Sequence, residues 1–191
     1  NNPKSNHGNK FEQLGTILPT PNFYRTASGA PGKGYWQNRA DYNIVAFLDE
    51  DKRNLRGSET ITYHNNSPDD LEYLWLQLDE NQQSSVKNAG YDDQSFLPKS
   101  TTTETLKITD LPKQNNQYGV NLEKVTDASG NALQYVVNKT MMRIDLPTVL
   151  KKGEKITFKI DWNYNIPNRL AMGGRGGYEN FPEDGNVLYT M

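Results

Sequence analysis

Apolar residues recur at every second position along much of the chain, which is the period of a β-strand. The clearest case is the segment Ile156–Ile166, where Ile, Phe, Trp and Tyr occupy the even positions and polar residues the odd ones. One apolar face and one polar face are typical of a strand in an antiparallel sheet. We therefore predict that this strand packs one face on a core and leaves the other in water.

Shorter segments of similar character predict further strands. Tyr42–Leu48 is apolar at both odd and even positions, which predicts a strand that is covered on both faces. Leu71–Leu78 is almost continuously apolar and rich in aromatic residues, so we predict a central strand there. The remaining predicted strands are Leu55–Tyr63, Glu104–Ile108, Tyr118–Val125, Ala132–Val137, Met141–Leu146 and Val187–Thr190.

Turn-forming residues separate these strands. Asp127-Ala128-Ser129-Gly130 is a hairpin signal, and residues 65–69 are rich in side chains that bond their own backbone. Residues 79–100 are polar and aperiodic, which predicts a long surface excursion. The glycine-rich segment 173–177 predicts a flexible loop beside an interface.

This pattern predicts an all-β fold, namely an antiparallel β-sandwich or an open barrel, because strands and turns dominate and the helical period is almost absent. Residues 1–34 hold several prolines and one short candidate helix at Lys10–Ile17, so we interpret them as an irregular leader. Residues 35–191 form the predicted β domain. The 3 Trp, 11 Tyr and 6 Phe residues supply large side chains for its core despite a mean hydropathy of -0.86.

Composition and charge exclude several classes of function. The 21 basic and 23 acidic residues give a net charge of -2, so no basic face for nucleic acid is expected. The absence of cysteine excludes disulfides, thiolate metal sites and thiol nucleophiles. No apolar run reaches the roughly 18 residues of a membrane span. The Asn-rich, cysteine-free composition and the non-Met start favour a periplasmic or extracellular protein.

Residues that perform chemistry are scarce. His7 and His64 are the two histidines, and neither has a Gly-x-Ser-x-Gly nucleophile motif or a zinc-ligand pattern beside it. We predict structural or solvated roles for both, and no catalytic or metal-binding residue in this chain. Asn65-Asn66-Ser67 and Asn138-Lys139-Thr140 match the glycosylation sequon, a match that is common by chance in an Asn-rich chain.

Several ordered motifs resemble a known family. Tyr35–Tyr42 is followed by Gly57-Ser58-Glu59-Thr60-Ile61-Thr62-Tyr63, which fits the pattern G-x-E-T-I-x-Y, and Leu150–Ile160 fits L-x-x-G-E-x-x-x-F-x-I. Gly176-Gly177-Tyr178-Glu179 is similar to a Gly-aromatic turn that follows the L-x-x-G-E-x-x-x-F-x-I segment in the same family. Together these segments resemble the amino-terminal domain of the aminopeptidase N-type zinc metallopeptidases (gluzincin aminopeptidases). The resemblance spans roughly residues 35–191.

In that family this domain is a saddle-shaped antiparallel β-sandwich that packs on a thermolysin-like zinc domain. The zinc domain holds a His-Glu-x-x-His motif, and neither histidine of this chain is followed by Glu. The resemblance therefore implies a non-catalytic front part of a longer enzyme, without a cofactor of its own. It also implies two partners, namely the catalytic domain of the same polypeptide and a peptide substrate of the full-length enzyme. The zinc ion would belong to the catalytic domain.

The resemblance implies that this domain bounds one side of the substrate cleft. We select Arg175, Tyr178 and Glu179 as candidates for the cleft or for a plain interdomain contact, because their loop approaches the strand after which a substrate-binding Gln or Glu follows in the family. The surface that meets the catalytic domain should form an exposed apolar patch. The alternative function is a free-standing carbohydrate- or protein-binding β-sandwich module, whose mark would be a planar row of exposed aromatic residues.

Overall fold

Nine β-strands lie in the part of the chain that the structure, a computed structural model, describes: residues 21–84, 100–104, 117–172 and 176–190. A 3-10 helix (Asp79–Gln83) and a single helical turn, α1 (Arg169–Met172), accompany them. The strands are β1 (Arg39–Asp49), β2 (Asn54–His64), β3 (Leu71–Gln77), β4 (Asn121–Asp127), β5 (Tyr135–Asn138), β6 (Met141–Leu150), β7 (Lys155–Asn165), β8 (Gly177–Phe181) and β9 (Asn186–Thr190).

The strands form two packed antiparallel sheets and a separate hairpin. The first sheet has the order β1-β2-β7-β4, the second has the order β3-β6-β5, and β8 pairs with β9. In the first sheet Ile61 of β2 lies opposite Phe158 of β7, and Val125 of β4 lies opposite Ile160 of β7. The prediction of an all-β fold with antiparallel, sandwich-like packing is confirmed.

The core lies between the two sheets. Phe158 (1% exposed), Ile61 and Ile160 of the first sheet are packed with Met142 and Ile144 of the second. These residues occupy alternating strand positions, as predicted for β7. Burying each such side chain stabilises the fold by about 1.5–3 kcal/mol.

The chain crosses between the sheets after the predicted hairpin at residues 127–130. One oxygen of Asp127 accepts hydrogen bonds from the backbone N–H groups of Ser129 (2.8 Å) and Asn131 (2.9 Å), and the other accepts one from the Asn131 side chain (2.9 Å). The Asn131 bonds, above all, lower the pKa of Asp127. The predicted strand Ala132–Val137 is divided, because Leu133 still bonds β4 whereas Tyr135 already pairs with β6.

Two other predictions are corrected, one about the strand β3 and one about the excursion that was predicted to follow it. β3 is an edge strand rather than a central one, because β6 lies between β3 and β5. Residues 79–83 form the 3-10 helix instead of an excursion, and Asn81 is buried there. Its amide donates to the Lys139 carbonyl (2.7 Å), and its side-chain oxygen accepts from the Val120 N–H (2.9 Å). Burial of this polar residue is compatible with folding because both ends of the amide are bonded.

Some predictions lie partly or wholly outside the described residues. The candidate helix Lys10–Ile17 and residues 85–99 of the predicted excursion are among them. Of the predicted strand Glu104–Ile108 only Glu104 is described, and it is helical.

The loop after β2 is held by a buried asparagine. The Asn65 side-chain oxygen accepts hydrogen bonds from the N–H (3.0 Å) and hydroxyl (2.6 Å) of Ser67. Its amide donates to the carbonyls of Asp69 (2.8 Å) and Leu150 (2.9 Å). The sequon at Asn65 is therefore part of the fold, whereas Asn138 of the second sequon is exposed beside the β5–β6 turn.

The chain divides into two compact units, Asn1–Gln37 and Asn38–Met191. In the first unit, residues 21–37 contain isolated bridges from Arg25 to Asn22 and to Pro31 and no named strand. The division falls close to the predicted start of the β domain at Tyr35. All strands named above belong to the second unit.

Candidate functional site

β1 exposes apolar side chains on both faces. Tyr42 (59% exposed) and Ile44 lie on the face that carries the core, and Val45 (72% exposed) and Phe47 (53% exposed) lie on the opposite face. The prediction that this strand is covered on both faces is therefore wrong. The second sheet packs over β2, β7 and β4, and no residue of β1 belongs to the buried core cluster.

The sequence of β1 gives this edge little protection. Natural edge strands often hold charged residues or proline, which discourage pairing with another chain. The segment Tyr42–Leu48 has neither, and the charged residues of β1 lie near its two ends. On the outer face the Arg56 guanidinium lies 4.5 Å from the centre of the Phe47 ring. Beside them is a shallow groove of about 260 Å³, with Glu123 and Asp161 on its far side.

A second concave surface opens between the sheets, where β3 runs into the 3-10 helix. This intersheet cavity has a volume of about 390 Å³ and is bordered by four aromatic residues: Tyr42, Trp75, Trp162 and Tyr164. The Trp162 and Tyr164 rings are stacked, with centres 5.9 Å apart and planes 18° from parallel. Gly57 makes room for this stack, because a methyl group at that position would lie 2.4 Å from Cζ2 of Trp162.

Three carboxylates also line the intersheet cavity. Glu59 is paired with Ile44 and Ile160 in the first sheet, on the face that carries the core. Asp79 and Glu80 belong to the 3-10 helix that follows the second sheet. The described residues include no Lys or Arg among those that line this cavity.

Burial shifts the pKa values of three side chains that line the cavity. It raises the pKa of Glu59, and together with the charge of Asp79 it raises the pKa of Glu80. Burial and the charge of Glu80 raise the pKa of Tyr164 to about 12. Among the described residues, neither glutamate carboxylate has a hydrogen-bond or ion-pair partner. The described part of the chain contains no group of three His, Asp or Glu side chains placed to hold a metal ion.

The candidates from the β8–β9 region make contacts within the second unit. The Arg53 guanidinium lies over the rings of Tyr178 (5.0 Å) and Tyr189 (5.6 Å) and donates a hydrogen bond to the Tyr189 hydroxyl. Glu179, another predicted site residue, forms an ion pair with Arg169, with 3.4 Å between its carboxylate and Nη2 of the arginine. These contacts fasten the hairpin to the β1–β2 turn and to α1. Arg175 lies outside the described residues.

The base of this hairpin adjoins the intersheet cavity. A methyl group at Gly176 would lie 4.0 Å from Oε1 of Glu80. The predicted site residues Tyr178 and Glu179 lie in this hairpin, and no residue that lines the adjoining cavity was a candidate. One signal was present: Glu59 interrupts the alternating series Leu55, Gly57, Ile61 on the inward face of β2.

Exposed aromatic rings also occur on β3, but they do not form a flat platform. The Tyr73 and Trp75 ring centres are 6.3 Å apart and their planes are 82° from parallel. Arg143 lies 5.3 Å from the centre of the Tyr73 ring and forms an ion pair with Asp145 at 3.0 Å. Adjacent sugar rings would need a more coplanar surface on which to stack.

Comparisons with protein-family models and with curated proteins found no match for this chain. No helix in the described ranges is long and apolar enough to cross a membrane.

Proposed function

We propose that this chain is the non-catalytic amino-terminal β domain of a zinc aminopeptidase-like metallopeptidase. In this proposal it packs on the catalytic domain of the same polypeptide through β1 and helps to bound the substrate cleft. The observation that supports it best is the apolar exposure on both faces of β1. The proposal includes export of the protein to the periplasm or the cell exterior.

Exposed apolar side chains on both faces of β1 favour a protein domain that stays bound to this strand. Covering apolar surface contributes about 25 cal/mol per Å², and Tyr42, Ile44, Val45 and Phe47 all remain to be covered. Contiguous exposed apolar surface marks an interaction site in soluble proteins. An unprotected strand edge would also recruit other copies of the chain unless another domain occupied it.

The resemblance supports the identity of that partner. The segments Gly57–Tyr63 and Leu150–Ile160 are far apart in the sequence, yet they lie side by side in β2 and β7, with Glu59 opposite Ile160 and Ile61 opposite Phe158. These two strands form the centre of the sheet whose edge is β1. The motif segments therefore belong to one structural unit, as expected if they were inherited together as a domain.

The proposal divides the chemistry between two domains. Zinc in the catalytic domain would polarise the scissile carbonyl and activate water. This chain would have a structural role, because its rigid sheet would position the catalytic domain and limit the space for substrate. A domain in this role needs an interface and no nucleophile of its own.

The first test is the size of the native gene product, measured by immunoblot of the source cell with antibodies against this chain. This chain has a mass of 21.7 kDa. We expect a product that is longer by at least one domain of about 100–200 residues. A native product close to 21.7 kDa would overturn the proposal and favour the free-standing carbohydrate- or protein-binding module.

The second test examines the interface within the longer product. We expect Val45→Glu combined with Phe47→Glu to lower aminoacyl-anilide hydrolysis by about tenfold or more, because two charges would be buried where the domains meet. The matched control is Val136→Glu, since Val136 of β5 is 59% exposed on the second sheet. Equal activity of the double variant and the control would contradict docking through β1.

A further inference from the structure

The intersheet cavity combines aromatic rings with carboxylates in a way that suits one chemical class of ligand. We propose that it binds an organic cation, that is, an ammonium or guanidinium group carried by a small molecule or by a Lys or Arg side chain of a peptide. All described residues that line the cavity belong to the second unit. The inference does not require the proposed docking to a catalytic domain, and among the described residues the cavity shares only Tyr42 with the apolar surface of β1 that this docking would cover.

The carboxylates approach the cavity from both layers of the sandwich. Glu59 extends from β2 of the first sheet, and Glu80 extends from the 3-10 helix after β3. Neither carboxylate has a hydrogen-bond or ion-pair partner among the described residues, and burial disfavours the charged form of both. A bound cation would compensate this loss of solvation, because opposite charge favours the ionised form.

The aromatic residues complete the site. Trp and Tyr rings attract a cation placed over their faces, and the attraction is stronger where water is excluded. Tyr42 borders the cavity from β1, and the stacked pair Trp162 and Tyr164 borders it from β7. The volume of about 390 Å³ lies within the usual range of about 300–1,000 Å³ for small-ligand pockets.

Other ligand classes fit these residues less well. A metal ion needs several ligands that converge on one point, and the described residues offer no such group. An apolar ligand would desolvate Glu59 and Glu80 further without pairing either charge. A neutral sugar would stack on the rings but would leave both charges uncompensated.

The test uses the full chain and titrates it with choline and with its neutral isostere 3,3-dimethyl-1-butanol. The readout is the chemical shift of the tryptophan indole N–H groups, supported by calorimetry. We expect choline to bind at least about tenfold more tightly than the isostere, because only choline pairs with the carboxylates and the rings. Equal affinities, or no choline binding up to about 10 mM, would overturn the inference.

Two variants and a matched control test the role of the carboxylates. We expect Glu59→Gln and Glu80→Gln each to weaken choline binding by about tenfold, whereas Glu183→Gln stays within about twofold of the wild type. Glu183 is exposed in the β8–β9 turn and does not line the cavity. Wild-type affinity in both cavity variants would contradict the inference. If one variant fails to fold, the other and the choline-isostere ratio still decide.

A final pair of titrations separates the two sources of the cation. One uses n-butylammonium, and the other uses a terminally blocked Gly-Lys-Gly peptide, with Gly-norleucine-Gly as its neutral control. Tighter binding of the free amine indicates a small-molecule ligand, and tighter binding of the lysine peptide indicates a protein or peptide ligand. Binding of norleucine as tight as that of lysine would overturn the role of charge.

Discussion

β7 and β1 lie in the same sheet and have the same length, but their surroundings differ. Each strand has 11 residues and an apolar series at alternate positions. Phe158 and Ile160 of β7 are buried between the sheets, whereas Tyr42 and Ile44 of β1 are exposed on the same face. The difference comes from the second sheet, which packs over β7 and does not reach β1. Alternation therefore predicts a strand, but not what covers it.

The same contrast continues along the first sheet towards the intersheet cavity. Around Ile61 and Phe158 the two sheets meet in a closed core. Around Glu59 and Tyr164 they leave the cavity of about 390 Å³, and Gly57 allows the Trp162 ring to lie across its neighbour strand. Glycine and a charged residue at inward positions of β2 thus accompany the change from a closed to an open sandwich.

The largest expected effect comes from comparing one phenylalanine on each strand. Phe158→Ala should lower the free energy of unfolding by about 3–5 kcal/mol, because it leaves a cavity in the closed core. Phe47→Ala should lower it by less than about 1 kcal/mol, since that ring is exposed and loses mainly its contact with Arg56. Urea unfolding of the isolated chain measures both. Similar losses would show that β1 is covered in solution.

An intermediate effect is expected at the glycine beneath the tryptophan ring. Gly57→Ala should lower the free energy of unfolding by about 1–3 kcal/mol, because the new methyl group displaces Trp162 and its stack with Tyr164. Near-ultraviolet circular dichroism should change at the same time. The control is Ser58→Ala, an exposed position on the opposite face, which should stay within about 0.5 kcal/mol. An unchanged tryptophan signal in Gly57→Ala would refute this account.

The smallest effect is a difference in pH dependence. Burial raises the pKa of Glu59 in the folded chain above its unfolded value, so the folded state binds the proton more readily. The free energy of unfolding should therefore gain a contribution as pH falls from 7 through the folded pKa towards the unfolded one. Glu59→Gln removes this contribution and should be more stable at pH 7, by less than about 1 kcal/mol because the residue is only half-buried.

The control for the pH experiment has the opposite sign. Hydrogen bonds from Asn131 and Ser129 lower the pKa of Asp127, so its stabilising contribution is present at neutral pH and is lost as the pH falls through the folded pKa. Asp127→Asn should flatten that acid-side loss. Urea unfolding between pH 7 and pH 3 measures both variants. Slopes of the same sign at Glu59 and Asp127 would contradict the assignment.

Local signals in the sequence predicted much of the strand content. The alternation in Ile156–Ile166 identified β7 and its buried face, and Asp127-Ala128-Ser129-Gly130 identified the hairpin after β4. These features depend on neighbours in the chain, on side-chain period and on turn chemistry. The strand β8 was missed, because the segment Gly177–Phe181 has too few apolar residues for a periodic signal.

The candidate site could be predicted only in part. An exposed apolar surface was expected and β1 has one, although the apolar pattern of that strand predicted cover on both faces. Tyr178 and Glu179 were predicted at a cleft or an interdomain contact, and they contact Arg53 and Arg169 of the same unit. The intersheet cavity was missed, because its carboxylates come from separate parts of the chain and converge only through pairing of the sheets.

The sequence by itself determined the all-β class, the positions of most strands and the lack of thiol chemistry, since each depends on local period, turn residues or composition. Only the tertiary structure decided that β3 and β1 lie at edges, that Asn65 and Asn81 are buried, and that Glu59 and Glu80 border one cavity. Strand order and sheet packing arise from contacts between distant segments. The sequence pattern around an apolar residue is the same whether or not another layer of the fold covers that residue.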